Sequence, residues 1–219
     1  MSIEDRLNEF NDYCVGQLNS IDGLSAPSYE TLFKKKLYIS FLESLAKAAY
    51  PKEEGVKKRF ILFLKTFTSW TEYNHCCPIS LGNEQKREEV LNSNRYFQIK
   101  NVSIAKQDCQ DNKHTYASLL YAARNSLVHQ FQSSTEWEQS TIRHMVYTPF
   151  YEVTRTQAFD KNNQNLKDIK KSIELIFPNT FLKKLSKEGL KNFIGYCQEE
   201  GLNPFPRYYA ERRIFEQEI

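Results

Sequence analysis

Apolar residues recur at steps of three and four along most of this chain, the signature of helices with one buried stripe. Ile3, Leu7, Phe10, Val15 and Leu18 mark a first helix over 2–19, ended by the turn-forming run Asn19-Ser-Ile-Asp-Gly23. A second runs over 28–50, entered at Ser28 and stopped by Pro51, with Phe33, Leu37, Tyr38, Phe41, Leu42, Leu45 and Ala49 on its core face. Phe60, Phe63, Leu64, Phe67 and Trp70 carry a third across 56–73. The segment 84–91 is short and charged, and 96–104 reads as a loop or short strand. A further amphipathic helix spans 114–132, with Tyr116, Leu119, Leu120, Ala123, Leu127 and Phe131 in its stripe.

Beyond residue 140 the pattern shifts. Thr141–Thr148 and Tyr151–Thr156 are rich in β-branched and aromatic residues and flank Pro149-Phe150, which predicts a small β-hairpin near 140–157. Apolar markers at Ile169, Ile173, Leu175 and Ile176, and again at Leu182, Leu185, Leu190, Phe193 and Ile194, predict helices over 166–177 and 180–200. After a break at 201–206, residues 207–219 read as a charged terminal helix. The prediction is a mainly α protein: a helical bundle with one small β-hairpin inserted. No repeat or shift in composition divides residues 1–219, so one domain is expected, with a core at about 28–132, the hairpin, and C-terminal helices over about 166–219.

Composition sharpens this only slightly. The 219 residues are 40% hydrophobic and 14% aromatic, enough to build a substantial core and too apolar for a disordered chain. A net charge of +3 is compatible with an anionic partner but too small to identify one. No run reaches the roughly 18 apolar residues of a membrane span. The opening Met-Ser-Ile-Glu-Asp lacks the basic and apolar regions of a secretory signal, so the expectation is a cytoplasmic protein without a membrane partner. The five cysteines (Cys14, Cys76, Cys77, Cys109, Cys197) then read as reduced thiols. His75-Cys76-Cys77 with Cys109 and His114 has none of the spacings of a zinc knuckle, so no metal is expected. Phosphate loops, nucleophile elbows and dinucleotide fingerprints are likewise missing from the sequence, and no cofactor is expected.

The most distinctive chemistry lies in the helix at 114–132. Tyr121-Ala-Ala-Arg124-Asn125-Ser-Leu-Val-His129 sets an Arg-Asn-x3-His pattern within it. At about 100° per residue, Asn125 and His129 stack one turn apart on the side opposite the apolar stripe, with Ser118, Tyr121 and Gln132 nearby. Arg124 sits at the flank, about 140° from His129. That second face has no carboxylate, although an outward-facing helix usually carries Lys and Glu there. It is therefore expected to meet something other than bulk water.

The motif resembles the signature of the HEPN family, small helical bundles many of which are metal-independent ribonucleases. Residues 37–46 and 58–64 are similar to the first two core helices of such proteins, so the resemblance covers about 30–132. It implies a HEPN-like up-and-down bundle. It also implies an RNA endonuclease acting through the substrate's own 2′-OH, in a toxin or phage-defence setting, with a cognate antitoxin protein as a further partner. His129 would move protons near neutrality. Arg124 would clamp the phosphate and the charge that develops on it, and Asn125 would orient the His or the ribose. Two protomers packed through this helix would share one composite cleft, a homodimer with Tyr121 and Val128 near its axis. Glu43 is the candidate for an auxiliary residue from an earlier helix, as is Tyr121 beside the motif. The helical wheel nevertheless puts Glu43 next to Lys36 and Lys47, where a solvated carboxylate is expected. Where nucleotidylated relatives carry His-x-Tyr, this chain has Phe131, so regulation at that hydroxyl is not expected. The competing reading is a non-catalytic helical module that binds RNA or a partner protein through the same face.

Overall fold

The computed structural model describes residues 1–26, 29–93, 96–105, 112–129, 148–159 and 166–208, with the side chains of Tyr96, 125–129, 154–159, 166–172 and Arg207 left aside. It is mainly helical, with a small three-stranded antiparallel sheet.

The first helix, α1 (Ile3–Asp22), begins at a capping box: the Ser2 hydroxyl accepts from the Asp5 amide, and the Asp5 carboxylate accepts from the Ser2 amide. Leu7, Phe10, Cys14, Leu18 and Ile21 are its buried stripe, while Val15, a predicted core position, faces outward. The helix α2 (Glu30–Ala49) occupies the middle of the bundle and touches α1 and four later helices. Its core face is Tyr38, Ile39, Phe41, Leu42, Leu45, Ala46, Ala48 and Ala49. Phe33 and Leu37, also predicted to be core, are exposed. The predicted entry at Ser28 lies outside the described residues.

Gly55, at φ 85°, opens α3 (Val56–Phe67). This helix stops six residues short of the predicted end. Thr68 turns extended and its hydroxyl donates to the Leu64 carbonyl, which closes the last turn. Trp70 then packs edge-on against Phe181, 5.1 Å between centroids. A short charged helix, α4 (Glu84–Asn92), is capped by the Asn83 side chain.

The bundle is completed by α5 (Tyr116–His129), α6 (Asn179–Glu199) and the single turn α7 (Phe205–Tyr208). At Gly189 a Cβ would come 2.8 Å from Phe63, so this glycine is what lets α6 lie close to α3. The end of α6 is a Schellman motif: Gly201 takes φ 61° and donates to the Gln198 carbonyl, while the Leu202 amide reaches the Cys197 carbonyl. Of the predicted terminal helix only its first residues are seen in α7, and 209–219 lie outside the described residues.

The sheet bears out the small β insertion and corrects one expectation. β1 (Tyr96–Gln98), β2 (Phe150–Phe159) and β3 (Leu166–Ile176) lie in the order β1-β2-β3, all antiparallel. Residues 166–177, predicted helical, are thus a strand, with Phe150 opposite Ile176 and Phe159 opposite Leu166. The spacing Leu166, Ile169, Ile173, Ile176 mimics a helical stripe, but β2 with its Val, Thr, Tyr and Phe needs a partner, and pairing overrides local preference. Of the small β insertion predicted at 140–157, the second half lies in β2, which pairs with β1 and β3, and the first half falls mostly outside the described residues.

Candidate functional site: the Arg124–Glu43 fork on the motif helix

The motif helix is held firmly at its start. The Thr115 hydroxyl accepts from the Ser118 amide, and the Ser118 hydroxyl donates to the Asn112 carbonyl at 2.6 Å. One strand-like bridge joins Cys76 to Thr115, and backbone bonds run from Cys77 to the His114 carbonyl and from Tyr116 to the His75 carbonyl. Tyr116, Ala117, Ser118 and Leu120 are all buried. Beneath them lies a polar chain: the Tyr151 hydroxyl donates to the Cys77 sulfur at 3.1 Å, so the Tyr116 hydroxyl, 2.8 Å away, donates to Tyr151. Burial pushes both tyrosine hydroxyls well above their usual range, and raises the Cys77 thiol too.

Two turns on, the helix presents Arg124. Its Nε donates to Glu43 at 2.7 Å and its Nη2 at 2.9 Å, a two-pronged fork across from α2. The two side chains are 19% and 22% exposed, so the pair lies at the margin of the bundle, mostly shielded from water. The guanidinium carbon also lies 5.9 Å from the centre of the Tyr121 ring.

Glu43 is therefore not the solvated carboxylate that its neighbours on the helical wheel suggested. The wheel ignores α5, which arrives from 81 residues away to supply its partner. Tyr121 also departs from its expected place. Its ring packs against Phe60 of α3, 5.8 Å between centroids, rather than standing out on a second face. With Ser118 buried as well, the lack of carboxylates on that side is met, over the first turns of α5, by the chain's own bundle. Arg124, Glu43 and Tyr121 are brought together. Asn125 and His129 follow on the same helix, but their side chains lie outside the described residues.

The cysteine expectation needs amending. Cys14, Cys77 and Cys197 are free and buried, whereas Cys76 is in a disulfide whose partner lies outside the described residues. His75 Nδ1 lies 3.1 Å from the Ser103 hydroxyl and His114 Nδ1 2.6 Å from that of Ser80. Among the described residues no three His, Cys, Asp or Glu side chains group as metal ligands. No helix among them is long and apolar enough to cross a membrane.

Sequence reasoning did not find the Tyr116–Tyr151–Cys77 chain. Its members are 35 and 74 residues apart and share no local pattern, so only the fold brings them together. Comparison with family models, curated proteins and solved structures finds no match to this chain.

Proposed function

We propose that this protein is a metal-independent RNA endonuclease whose site is built on the Arg-Asn-x3-His turns of α5. The observation that carries the reading is the Glu43–Arg124 fork. A carboxylate from α2, an earlier core helix, fixes a guanidinium at the margin of the bundle, five residues before His129. A guanidinium has five N–H donors in a plane, more than one carboxylate engages, and its geometry matches phosphate oxygens.

In the proposed reaction the 2′-OH of the RNA attacks the adjacent phosphorus. The 2′-oxygen–phosphorus bond forms and the phosphorus–O5′ bond breaks, leaving a 2′,3′-cyclic phosphate and a 5′-hydroxyl. His129 moves the proton, taken from the 2′-OH or given to the departing O5′. Arg124 stabilises the charge on the phosphorane, Glu43 positions Arg124, and Asn125 orients His129 or the ribose. Arg124 and His129 diverge by about 140° on one helix, so the complete site is proposed to form between two copies of the chain. A toxin or phage-defence role, with a cognate antitoxin protein, follows from the resemblance of the motif.

Purified protein incubated with mixed RNA in excess chelator should yield 2′,3′-cyclic ends and leave DNA intact, since DNA lacks the nucleophile. Val128→Glu should lower the dimer content and the activity together. Cleavage that stops in chelator, or a fully active monomer at assay concentration, would overturn the respective part of the reading. The same fork also favours a second reading, a non-catalytic module that binds RNA or a partner protein, because an Arg already engaged by Glu is what a structural ion pair looks like. RNA retained on the protein but left uncut, with His129→Ala binding as wild type does, would select it.

A further inference from the structure

The outer face of α2 extends beyond the Glu43–Arg124 fork in both directions. Residues three and four apart on a helix share a face, so Tyr29 at the N-cap, Phe33, Lys36, Ser40, Glu43 and Lys47 form one stripe. Its first half shows rings to water. Tyr29 is 62% and Phe33 36% exposed, set edge to face with 6.3 Å between centroids, and Leu37 follows one turn on at 40%. Its second half is a row of cations. Arg124 arrives from α5 onto Glu43, with Lys36 seven residues before that point and Lys47 four residues after it. The two carboxylates of α2 are both engaged by cations, Glu43 by Arg124 and Glu30 by Lys34 at 2.6 Å. The four lysines of α2 and Arg124 outnumber them, so this side of the bundle attracts anions.

We propose that this stripe is the track of a single RNA strand, with bases stacked on Tyr29 and Phe33 and the backbone laid over Lys36, Arg124 and Lys47. It rests on the reading that Arg124 meets an RNA phosphate, and adds the path by which the strand reaches it. Rings alone would suit an apolar protein surface, and cations alone any polyanion. A strand of unpaired nucleotides offers both chemistries in one chain, since every base has a face to stack and every linkage a charge to neutralise. A duplex cannot use the rings, because its bases are stacked on one another. At about 1.5 Å per residue, Tyr29 and Lys47 lie about 27 Å apart along the helix, a length for about four nucleotides.

Fluorescence anisotropy of a labelled 2′-O-methyl RNA strand, which lacks the nucleophile and cannot be cut, reads binding apart from cleavage. The full chain should bind it, with a log–log salt slope of about −2, as about three phosphate contacts require. Tyr29→Ala and Phe33→Ala remove exposed rings, should melt as wild type does, and should each weaken the strand by about tenfold while leaving a duplex of the same sequence unaffected. Lys36→Ala and Lys47→Ala should each flatten the slope by about 0.7, whereas Lys191→Ala, on the exposed side of α6, should not change it. The proposal is overturned if the strand fails to bind at about 100 μM protein, if the double ring variant binds it like wild type, or if Lys191→Ala flattens the slope as much as Lys47→Ala. Loss of self-association by the double ring variant in sedimentation, with RNA binding intact, would make the face a protein-docking surface and overturn it too. The nuclease reading fails separately. A wild type that binds through these rings but never cuts unmodified RNA keeps the track and loses the nuclease, and one that cuts equally well without the rings does the opposite.

Discussion

The first turns of α5 and the turn that carries Arg124 are held in different ways. Its first turns are buried on several sides at once and tied by backbone bonds to the segment 75–77, by Thr115 and Ser118 to the preceding turn, and by Tyr116 to β2. Further along, Tyr121 lays its ring on Phe60, and Arg124 forks onto Glu43 with both side chains only partly exposed. The first turns stabilise the fold, and the Glu43 carboxylate fixes the Arg124 cation. The contrast teaches that a helix tied down at its base can hold a charged side chain in one geometry at the bundle margin without a loop to present it.

The clearest way to break the comparison is at the base. Leu120→Ala removes a fully buried side chain and should cost about 2–5 kcal/mol, read from denaturant melts, with activity falling because the folded fraction falls. Arg124→Ala should do the reverse. A loss of RNA cleavage of about 10²–10³-fold is expected with at most about 1 kcal/mol of stability, the latter because Glu43 is left without its partner. Glu43→Gln should recover part of that stability in the double variant and none of the cleavage. A large change in the melting curve of Arg124→Ala, with cleavage intact, would make the far end as structural as the base.

Alkali should act on the core. Burial raises the hydroxyls of Tyr116 and Tyr151. In Tyr38, burial and the hydrogen bond to Asp22 do the same, while burial alone pushes the Cys14 thiol up to about 12. These groups are protonated in the fold, so their stability is intact below their unfolded values, about 8.5 for thiol and about 10 for phenol, and is lost as pH climbs above them. The melting temperature should therefore hold to about pH 8.5 and fall beyond it, steeply above about pH 10, with tyrosinate absorbance at 295 nm rising together with unfolding. The smallest effect is Tyr116→Phe. It deletes one donor while Tyr151 keeps Cys77, and about 1 kcal/mol is expected from thermal melts.

The helices were legible because burial on one stripe imposes a period that the sequence displays, as in Leu7, Phe10, Cys14 and Leu18. β3 was not, since the spacing of its apolar residues satisfies a helix equally well and only its pairing with β2 decides. The site divides along the same line. Arg124 belongs to a local motif and could be named, whereas the state of Glu43 depends on a partner 81 residues away and no helical wheel includes it. The buried Trp70 indole N–H and Glu188 Oε2, which find no hydrogen-bond partner, leave no sequence signal, because a missing hydrogen bond is a property of the packed molecule alone.

The tyrosine chain also sets a timetable. Tyr116 opens the motif helix, Cys77 lies well before it and Tyr151 well after, and all three must be present for the hydroxyls to close their bonds. A ribosome that has released only the first 140 residues has made the whole Arg-Asn-x3-His motif and the helices α2 and α3 on which α5 packs, yet not the strand that completes the tyrosine chain. The chain of hydroxyls is thus closed last, once β2 has emerged and docked under a helix already laid on its neighbours.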